Sequence, residues 1–295
     1  MLNTNEFGNL QIEIPNLYTE FLLADVQQPV WPVQVLVVIG NWYFIIMQNL
    51  VQLTAAQMVL CVGIVFVAGI IRGFSGFALS ALFMASAAAF IPPVELIPIC
   101  YILEVTASLI MFRGGLQDAD MKIVWGLAIG SAIGFPMGLY ATTSIPVEMS
   151  KFIALCIILG LATAQLLRTS PKFLASTTGF YASGITAGVV SGLASVGGMV
   201  IALYVLGRKV PPRTMRASLV MFLFIGMFTS IVYLLGFDVM NRLAISRGFL
   251  LAPIVAIGVL IGSRFFRPSL EYIYKKFCLG LLIFLASAGL LRLTL

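Results

Sequence analysis

The chain has 295 residues, of which 61% are hydrophobic and only 9% are charged, and its mean hydropathy is +1.08. No water-soluble domain of this length has such a composition, so it predicts an integral membrane protein. The net charge of +6 does not indicate nucleic-acid binding, because the cations lie in short loops between apolar segments. The alternating pattern of a transmembrane barrel is absent, which favours helices.

The N-terminal region, residues 1–54, precedes the main membrane domain. Residues 1–30 contain four acidic residues and no lysine or arginine. They therefore lack the basic start of a signal peptide and predict an irregular or surface-lying tail. Residues 30–50 are apolar and aromatic but are interrupted by polar side chains. Their length fits either one extra membrane span or a helix lying in the interface.

Residues 68–93 are the most informative stretch of the membrane domain. An apolar segment is interrupted there by Arg72 and by a glycine-flanked turn at residues 73–76 (G-F-S-G), and a second apolar segment then runs to a proline pair. Glycine frees the backbone and exposes its polar groups, so a helix is not expected to continue through the turn. Because lipid cannot satisfy those groups, the turn must lie inside protein or beside a wet cavity. The stretch predicts a broken membrane helix with one cation beside the break.

The same stretch occurs a second time, 119 positions later and without a gap, at residues 187–212. Alanine, glycine and proline positions coincide between the two copies, including the proline pair that ends each of them. A later block repeats at an offset of 124, where residues 132–138 (AIGFPMG) correspond to residues 256–262 (AIGVLIG). The chain therefore contains an internal duplication, with a first transmembrane repeat at 55–172 and a second at 173–295.

Each repeat predicts five helical segments. They cover about 55–71, 76–91, 95–112, 122–141 and 149–167 in the first repeat, and about 178–191, 196–207, 215–235, 246–264 and 271–291 in the second. The second segment of the second repeat has only about 12 residues and spans roughly 18 Å, too short for a hydrocarbon core of about 30 Å. The first two segments of each repeat are therefore expected to form a broken-helix or re-entrant hairpin with its turn inside the membrane.

The positive charges predict the topology. Twelve of the seventeen lysines and arginines lie in loops that share one side of the membrane, at residues 113–122, 168–172, 207–216 and 264–276. The positive-inside rule places that side in the cytoplasm. Because five segments per repeat is an odd number, the two repeats must have inverted topologies, a plan that recurs among secondary transporters. The predicted fold class is an all-α integral membrane protein built from two inverted-topology repeats.

Three short motifs resemble those of a known family. They are R-G-F-S-G-F at residues 72–77, S-V-G-G at 195–198 leading into A-L-Y at 202–204, and the pair Arg216-Ala217. With the two-half arrangement, they make the chain similar to the TauE/SafE family of sulfite exporters and related organic-sulfonate permeases over roughly residues 55–292. The resemblance implies a secondary transporter of the bacterial inner membrane that moves a small anion, with sulfite or an organic sulfonate as the leading candidates.

Both glycine-rich turns are candidate anion-binding elements. Helix ends that point at the midplane offer free N–H groups and a partial positive charge, and a guanidinium suits the bidentate recognition of sulfite, sulfonate or carboxylate oxygens. The candidate substrate-binding residues are Arg72, Gly73, Ser75, Gly76, Ser195, Gly197 and Gly198. The alternatives are that the glycines only let helices approach closely and that Arg72 snorkels to the interface. Tyr204 and Arg216 are interpreted as an ordinary interfacial anchor and an ordinary loop anchor.

Glu104 lies near the centre of an apolar segment and is the candidate coupling residue. An acid at that depth is expensive and is a functional-site hypothesis by default. It could pair with Arg72, or carry the coupling proton, because burial disfavours the charged carboxylate; the remaining alternative is an acid that only fixes helix packing. Thr106 and Ser108 follow on the same helix and either line the path or bond back to helix carbonyls.

Other function classes were weighed on the same residues. An anion channel on the same scaffold is not separated from a carrier by the sequence. Gly73 to Gly76 also have the GxSG appearance of an intramembrane serine hydrolase, but such an enzyme needs a base for its serine. The chain contains no histidine, which argues against that enzyme, and we expect no metal and no cofactor. The expected partners are the small anion and the lipid bilayer, with a homo-oligomer left open.

Overall fold

The computed structural model describes residues 52–167, 177–208, 211–265 and 271–294. In those ranges the chain forms ten α-helices and no strand. The helices are α1 (Ala55–Ser75), α2 (Leu79–Ala87), α3 (Pro93–Asp118), α4 (Met121–Ser144), α5 (Val147–Leu166), α6 (Thr177–Ala194), α7 (Gly197–Gly207), α8 (Pro212–Gly236), α9 (Arg242–Phe265) and α10 (Glu271–Thr294). The predicted N-terminal tail and the extra helix at 30–50 lie outside the described residues.

The lengths of these helices separate nine of them into two groups, and α6, with 18 residues, is intermediate. Seven of the described helices, α1, α3, α4, α5, α8, α9 and α10, are long and apolar enough to cross a membrane. In contrast, α2 and α7 contain only 9 and 11 residues, so they extend about 14 and 16 Å. The all-helical prediction is therefore confirmed, and the second segment of the second repeat is as short as expected.

The first helix break is displaced from its predicted place. Gly73 was expected to open the turn, but α1 continues through Gly73 and ends at Ser75. Gly73 is needed for packing instead, because a Cβ there would collide with the backbone of α9 at Val259. The backbone leaves the helix only at Gly76, whose φ of +81° is in the left-handed region that glycine adopts freely.

Stripes of glycine hold α4 against α6. Glycines recur at every fourth position on both helices, at 126, 130, 134 and 138 on α4 and at 184, 188 and 192 on α6. A Cβ at Gly134 would collide with the Ile185 carbonyl oxygen, and one at Gly138 with the Val189 carbonyl oxygen. Such backbone-to-backbone contact is how membrane helices gain van der Waals packing when lipid offers no hydrophobic driving force.

The outward side of α4 has the opposite composition. Trp125, Ile129, Ile133, Met137 and Tyr140 follow one another at helical spacing, and each is more than half exposed in the absence of lipid. A helix that is apolar outside and glycine-lined inside is suited to a bilayer rather than to water.

A second glycine contact joins α1 to α9. Gly69 and Gly73 of α1 approach Gly258 and Gly262 of α9, so the two helices run in the same direction. The α4–α6 pair also runs in one direction, since Gly130 faces Gly184 while Gly138 faces Val189. Each pair joins the first helix of one half to the fourth helix of the other half. Between them, α3 and α8 pack together at the centre, and α5 packs against α10.

Candidate functional site

The break between α1 and α2 is formed by three residues, 76–78. The Gly76 N–H donates to the Arg72 carbonyl at 2.9 Å and closes the end of α1. Ala78 then adopts φ +78°, which costs a residue with a Cβ about 1–2 kcal/mol. Gly76 is also in the left-handed region, and a Cβ at this residue would lie only 2.9 Å from Cγ of Arg216. The break is therefore held against α8 and is not a loose linker.

Ser75 stabilises this break through its side chain. Its hydroxyl donates to the Phe77 carbonyl at 2.7 Å, and the Phe77 N–H lies 3.3 Å from the same oxygen. Serine side chains that bond to backbone two residues ahead are typical of tight turns. The observed contacts of Ser75 are those of a turn residue that satisfies backbone groups where the helix ends.

Arg72 is completely buried, with 0% of its surface exposed, and its guanidinium contacts α3 and the α1–α2 break. Nε donates to Oε2 of Glu104 at 2.8 Å. Nη2 donates to Oγ of Ser108 at 3.1 Å, and Nη1 donates to the Gly76 carbonyl. The arginine does not snorkel to an interface in this conformation. It links the end of α1 to the middle of α3 across 32 positions of sequence.

Glu104 completes the cluster from the side of α3. Its Oε1 accepts a hydrogen bond from the Ser80 hydroxyl at 2.9 Å, and the Ser80 N–H lies 3.4 Å from the same oxygen. Ser80 is in the first turn of α2, where free N–H groups and the helix dipole favour an anion. The carboxylate therefore binds the ends of both broken helices, namely Arg72 at the end of α1 and Ser80 at the start of α2. Ser80 was not identified from the sequence.

The remaining predicted residues of α3 differ from each other. Ser108 is fully buried and accepts from Arg72. Thr106 is only partly buried, and its hydroxyl donates back to the Ile102 carbonyl at 3.0 Å. Of the two roles weighed for these hydroxyls, back-bonding to the helix is therefore the one observed for Thr106, whereas Ser108 belongs to the charged cluster.

Arg216 is a second arginine at the same break. It does not lie in a loop, as interpreted from the sequence, but in the first turns of α8, and its Nη2 donates to the Gly73 carbonyl. That carbonyl is one of the last four of α1, which an α-helix leaves without an internal partner. Two guanidinium groups therefore stabilise the negative end of the α1 dipole. The signal in the sequence was the pair Arg216-Ala217 after the proline pair, but an arginine at such a place is also typical of ordinary interfacial anchors.

The break between α6 and α7 also begins with a residue in the left-handed region, but its side chains are different. Ser195, which is the counterpart of Gly76 in the duplication, has φ +57°, and its N–H donates to the Ser191 carbonyl at 2.8 Å. Gly197 is tightly packed, since a Cβ there would collide with Ser191 and with the Ala187 carbonyl. Gly198 faces Leu223 with room for a side chain, because a Cβ at Gly198 would lie 3.5 Å from the leucine methyl groups, an ordinary van der Waals distance.

The charged cluster has an apolar counterpart at this second break. The duplication places Ser191, Met199, Leu223 and Met227 where the first half has Arg72, Ser80, Glu104 and Ser108. Ile97 likewise corresponds to Arg216. Every charged position of the first break is therefore uncharged at the second. Both halves have a helix break at the corresponding place, but of these corresponding positions only those of the first break carry charged side chains.

The two breaks approach each other through α3. The Cys100 thiol lies 4.0 Å from the Ser80 carbonyl of the first break, and it also lies beside the Ser195 side chain of the second. Cys100 is one turn from Glu104 on the same helix. The structure therefore brings Arg72, Gly73, Gly76, Glu104 and Ser108 together, with Ser195 beyond Cys100 on the other side.

A second buried arginine pair lies nearer the start of α3. Arg247 of α9 is 5% exposed, and its Nη1 donates to Oε2 of Glu95 at 2.6 Å. Glu95 is nine positions from Glu104, which is about 14 Å along the helix. This pair fastens α3 to α9 and is separate from the Arg72 cluster.

Replacing Glu95 by alanine is expected to lower the stability of the folded protein without removing function. The change deletes a carboxylate that contacts a buried guanidinium, and a hydrogen bond to a charged group contributes about 1–3 kcal/mol. Thermal unfolding of the protein in detergent measures the loss. Glu148→Ala is the matched control, because Glu148 pairs with Lys151 at 2.9 Å but its side chain is 69% exposed. Equal unfolding temperatures for the two variants would contradict the prediction.

Comparison with known proteins identifies one family. A family model described as sulfite exporter TauE/SafE matches residues 61–289 of the chain. The match runs from α1 to α10 and includes both helix breaks. No curated protein and no solved structure matches the chain.

Proposed function

The chain belongs to the TauE/SafE sulfite exporter family, and we propose that it is a secondary transporter that moves sulfite or an organic sulfonate across the bacterial inner membrane, coupled to protons. Seven helices able to cross a membrane, in a family of transporters, make it a multi-pass membrane protein. The observation that carries the proposal is the completely buried guanidinium of Arg72 at the α1–α2 break.

The donors around that break suit a small oxyanion. Sulfite and a sulfonate group each present three oxygens, and a guanidinium donates through a planar fork that fits two of them. The Ser108 hydroxyl and the first N–H groups of α2 lie on the same cluster. We assign Arg72 as the principal anion contact, with Gly73, Ser75 and Gly76 shaping the break so that backbone can approach the anion.

The second break contributes from the opposite side. The Ser195 side chain contacts Cys100, which lies beside Ser80 of the first break. Ser195 provides an uncharged hydroxyl. Gly197 and Gly198 begin α7, where free N–H groups favour an anion. We propose that these residues contact the far side of the anion while Arg72 supplies the charge. One charged break and one uncharged break favour a single anion site over two.

Glu104 is the proposed coupling residue. It is 6% exposed and lies in direct contact with the proposed anion contact, Arg72. Acidic residues inside membrane domains are rare and often form proton relays. Ser108 lies four positions further on the same face of α3, and we place the proton path on that face.

Inverted repeats are the architecture we propose for this transporter. The support is the reciprocal packing, in which α1 runs alongside α9 and α4 runs alongside α6. If successive helices alternate in direction, α1 and α4 point in opposite directions, and so do their counterparts α6 and α9. The α1–α2 hairpin then opens to one side of the membrane and α6–α7 to the other. Rocking of one half against the other would expose the anion site alternately.

Orientation follows from the charged helix ends. Arg113, Lys122, Arg208 and Arg213 lie at ends of α3, α4, α7 and α8 that share one side in this topology. We place that side in the cytoplasm by the positive-inside rule. A homo-oligomer is compatible with this arrangement and is tested by the mass of the purified protein.

Anion flux with the purified protein in proteoliposomes tests the proposed function. The panel contains sulfite, sulfate, thiosulfate, alkyl sulfonates and small carboxylates, each with and without a pH gradient. We expect saturable movement of a sulfur oxyanion that the gradient stimulates, and counterflow of labelled anion, which a channel does not support. A folded protein that moves none of these anions would overturn the proposal, and labelling of Ser75 by a fluorophosphonate would favour a hydrolase instead.

A further inference from the structure

The carboxylate of Glu104 occupies the place of an anion ligand. It accepts from a guanidinium at Arg72 (2.8 Å), from the Ser80 hydroxyl (2.9 Å) and from the Ser80 N–H at the start of α2 (3.4 Å). A guanidinium, a hydroxyl and a helix N-terminus are the three kinds of donor that proteins use for small oxyanions. We call the Arg72 guanidinium and the hydroxyl and N–H of Ser80 the oxyanion cradle. In this structure the Glu104 carboxylate accepts from all of these donors.

We propose that Glu104 and the transported anion compete for this one cradle, so that the anion binds only when Glu104 takes up a proton and releases the donors. This inference rests on the proposed function and specifies its coupling. Each anion then crosses with one proton in the same direction, because the anion can leave the cradle only when Glu104 gives its proton up and returns. In this cycle the Arg72–Glu104 pair is the contact that the anion replaces.

Electrostatics explains why the ionised Glu104 carboxylate and the transported anion exclude each other from the cradle. Arg72, Arg216 and an ionised Glu104 carry a summed charge of +1, and protonation of Glu104 raises that sum to +2. A singly charged anion restores the sum to +1 only in the protonated state. Binding the anion beside an ionised carboxylate would place two like charges on one guanidinium in a buried site, where the repulsion is strong.

The surrounding groups support a role for Glu104 as the titrating member. On α3 its titratable neighbours are Cys100 and Tyr101, both of which it influences electrostatically. From α1 and α2 it faces Arg72 and Ser80. On α8, the charged group is Arg216, whose guanidinium interacts electrostatically with that of Arg72. Glu104 is the acidic member among these described neighbours, so proton uptake in the cluster is assigned to it.

The test measures transport of ethanesulfonate as a function of pH in proteoliposomes. A sulfonate stays singly charged between about pH 5.5 and about pH 8, so any pH effect belongs to the protein. For the wild type we expect the KM for ethanesulfonate to rise by up to about tenfold per pH unit toward high pH, because one proton must bind before the anion. Parallel measurement of labelled ethanesulfonate uptake and of proton uptake should give one proton per anion, so the transport should be electroneutral.

Glu104→Gln separates competition from a merely structural role. Glutamine keeps the size of the side chain and resembles the protonated acid, so the variant should bind ethanesulfonate with a KM that no longer depends on pH. It should still move the anion down its own gradient, but without proton movement. Glu148→Gln, at an exposed surface pair, should behave as the wild type.

Several results would overturn the inference while leaving the proposed function intact. They are a wild-type KM that does not change with pH, wild-type ethanesulfonate uptake that no proton uptake accompanies, or a Glu104→Gln variant with unchanged proton coupling. If Glu104→Gln does not fold, the ratio of proton uptake to ethanesulfonate uptake in the wild type alone decides. Failure of the wild type to move either ethanesulfonate or sulfite would instead contradict the proposed function itself.

Discussion

Arg72→Ala is expected to abolish anion flux, lowering kcat/KM for the transported anion by at least about a hundredfold. Charge-assisted hydrogen bonds contribute about 1.5–3 kcal/mol each, and the proposed site depends on more than one from this guanidinium. The rate of uptake into proteoliposomes, normalised to the amount of inserted protein, measures the effect. Arg242→Ala, at an exposed position in the first turn of α9, is the control and should keep wild-type flux.

Loss of stability must be separated from loss of the site. The Arg72→Ala variant leaves Glu104 buried without its ion-pair partner, and breaking a buried pair from one side costs about 3–5 kcal/mol. The double variant Arg72→Met, Glu104→Leu removes both charges and should unfold at a temperature much closer to that of the wild type. It should remain inactive. Wild-type flux in either variant would mean that the arginine is a structural anchor and not an anion contact.

Gly134→Ala is expected to destabilise the folded protein strongly. The new Cβ would collide with the Ile185 carbonyl oxygen, which belongs to the backbone of α6 and cannot rotate away. Separating α4 from α6 weakens the packing on which a membrane helix pair depends, and overpacking of this kind costs about 1–3 kcal/mol or more. Thermal unfolding in detergent and the fraction of monodisperse protein measure the loss.

Gly160→Ala is the matched control for that change. Gly160 is in the middle of α5, and a Cβ there meets nothing within 4 Å among the described residues. Alanine is better than glycine in a helix interior by about 1 kcal/mol, so this variant should be as stable as the wild type or more stable. Equal destabilisation by both alanines would show that the glycine stripe on α4 does not determine the packing.

Much of the fold was predictable because it follows from local rules. The ten helices appear in the predicted order, since hydropathy and proline pairs determine where a membrane helix begins. The position of the first break was less predictable. Gly73 and Gly76 are equivalent locally, and only the approach of α9 to Gly73 determines that this glycine stays helical while Gly76 takes the left-handed conformation.

The clearest signals for the site were the two charged residues inside apolar segments. Arg72 and Glu104 are conspicuous because charge inside an apolar segment is expensive. Ser80 and Arg216 gave no such signal, since a serine in a membrane helix and an arginine at a helix end are common. Their contacts span 24 positions to Glu104 and 143 positions to Gly73, distances at which local sequence carries no information about packing.

The most direct test of the central claim, that the α1–α2 break holds the transported anion, is to locate selenite, the heavier analogue of sulfite, in crystals grown at low pH. The account predicts one anomalous-difference peak within hydrogen-bonding distance of the Arg72 guanidinium, at the place that the Glu104 carboxylate occupies in this structure. A peak beside the α6–α7 break or elsewhere, with the Arg72–Glu104 pair intact, would contradict the claim.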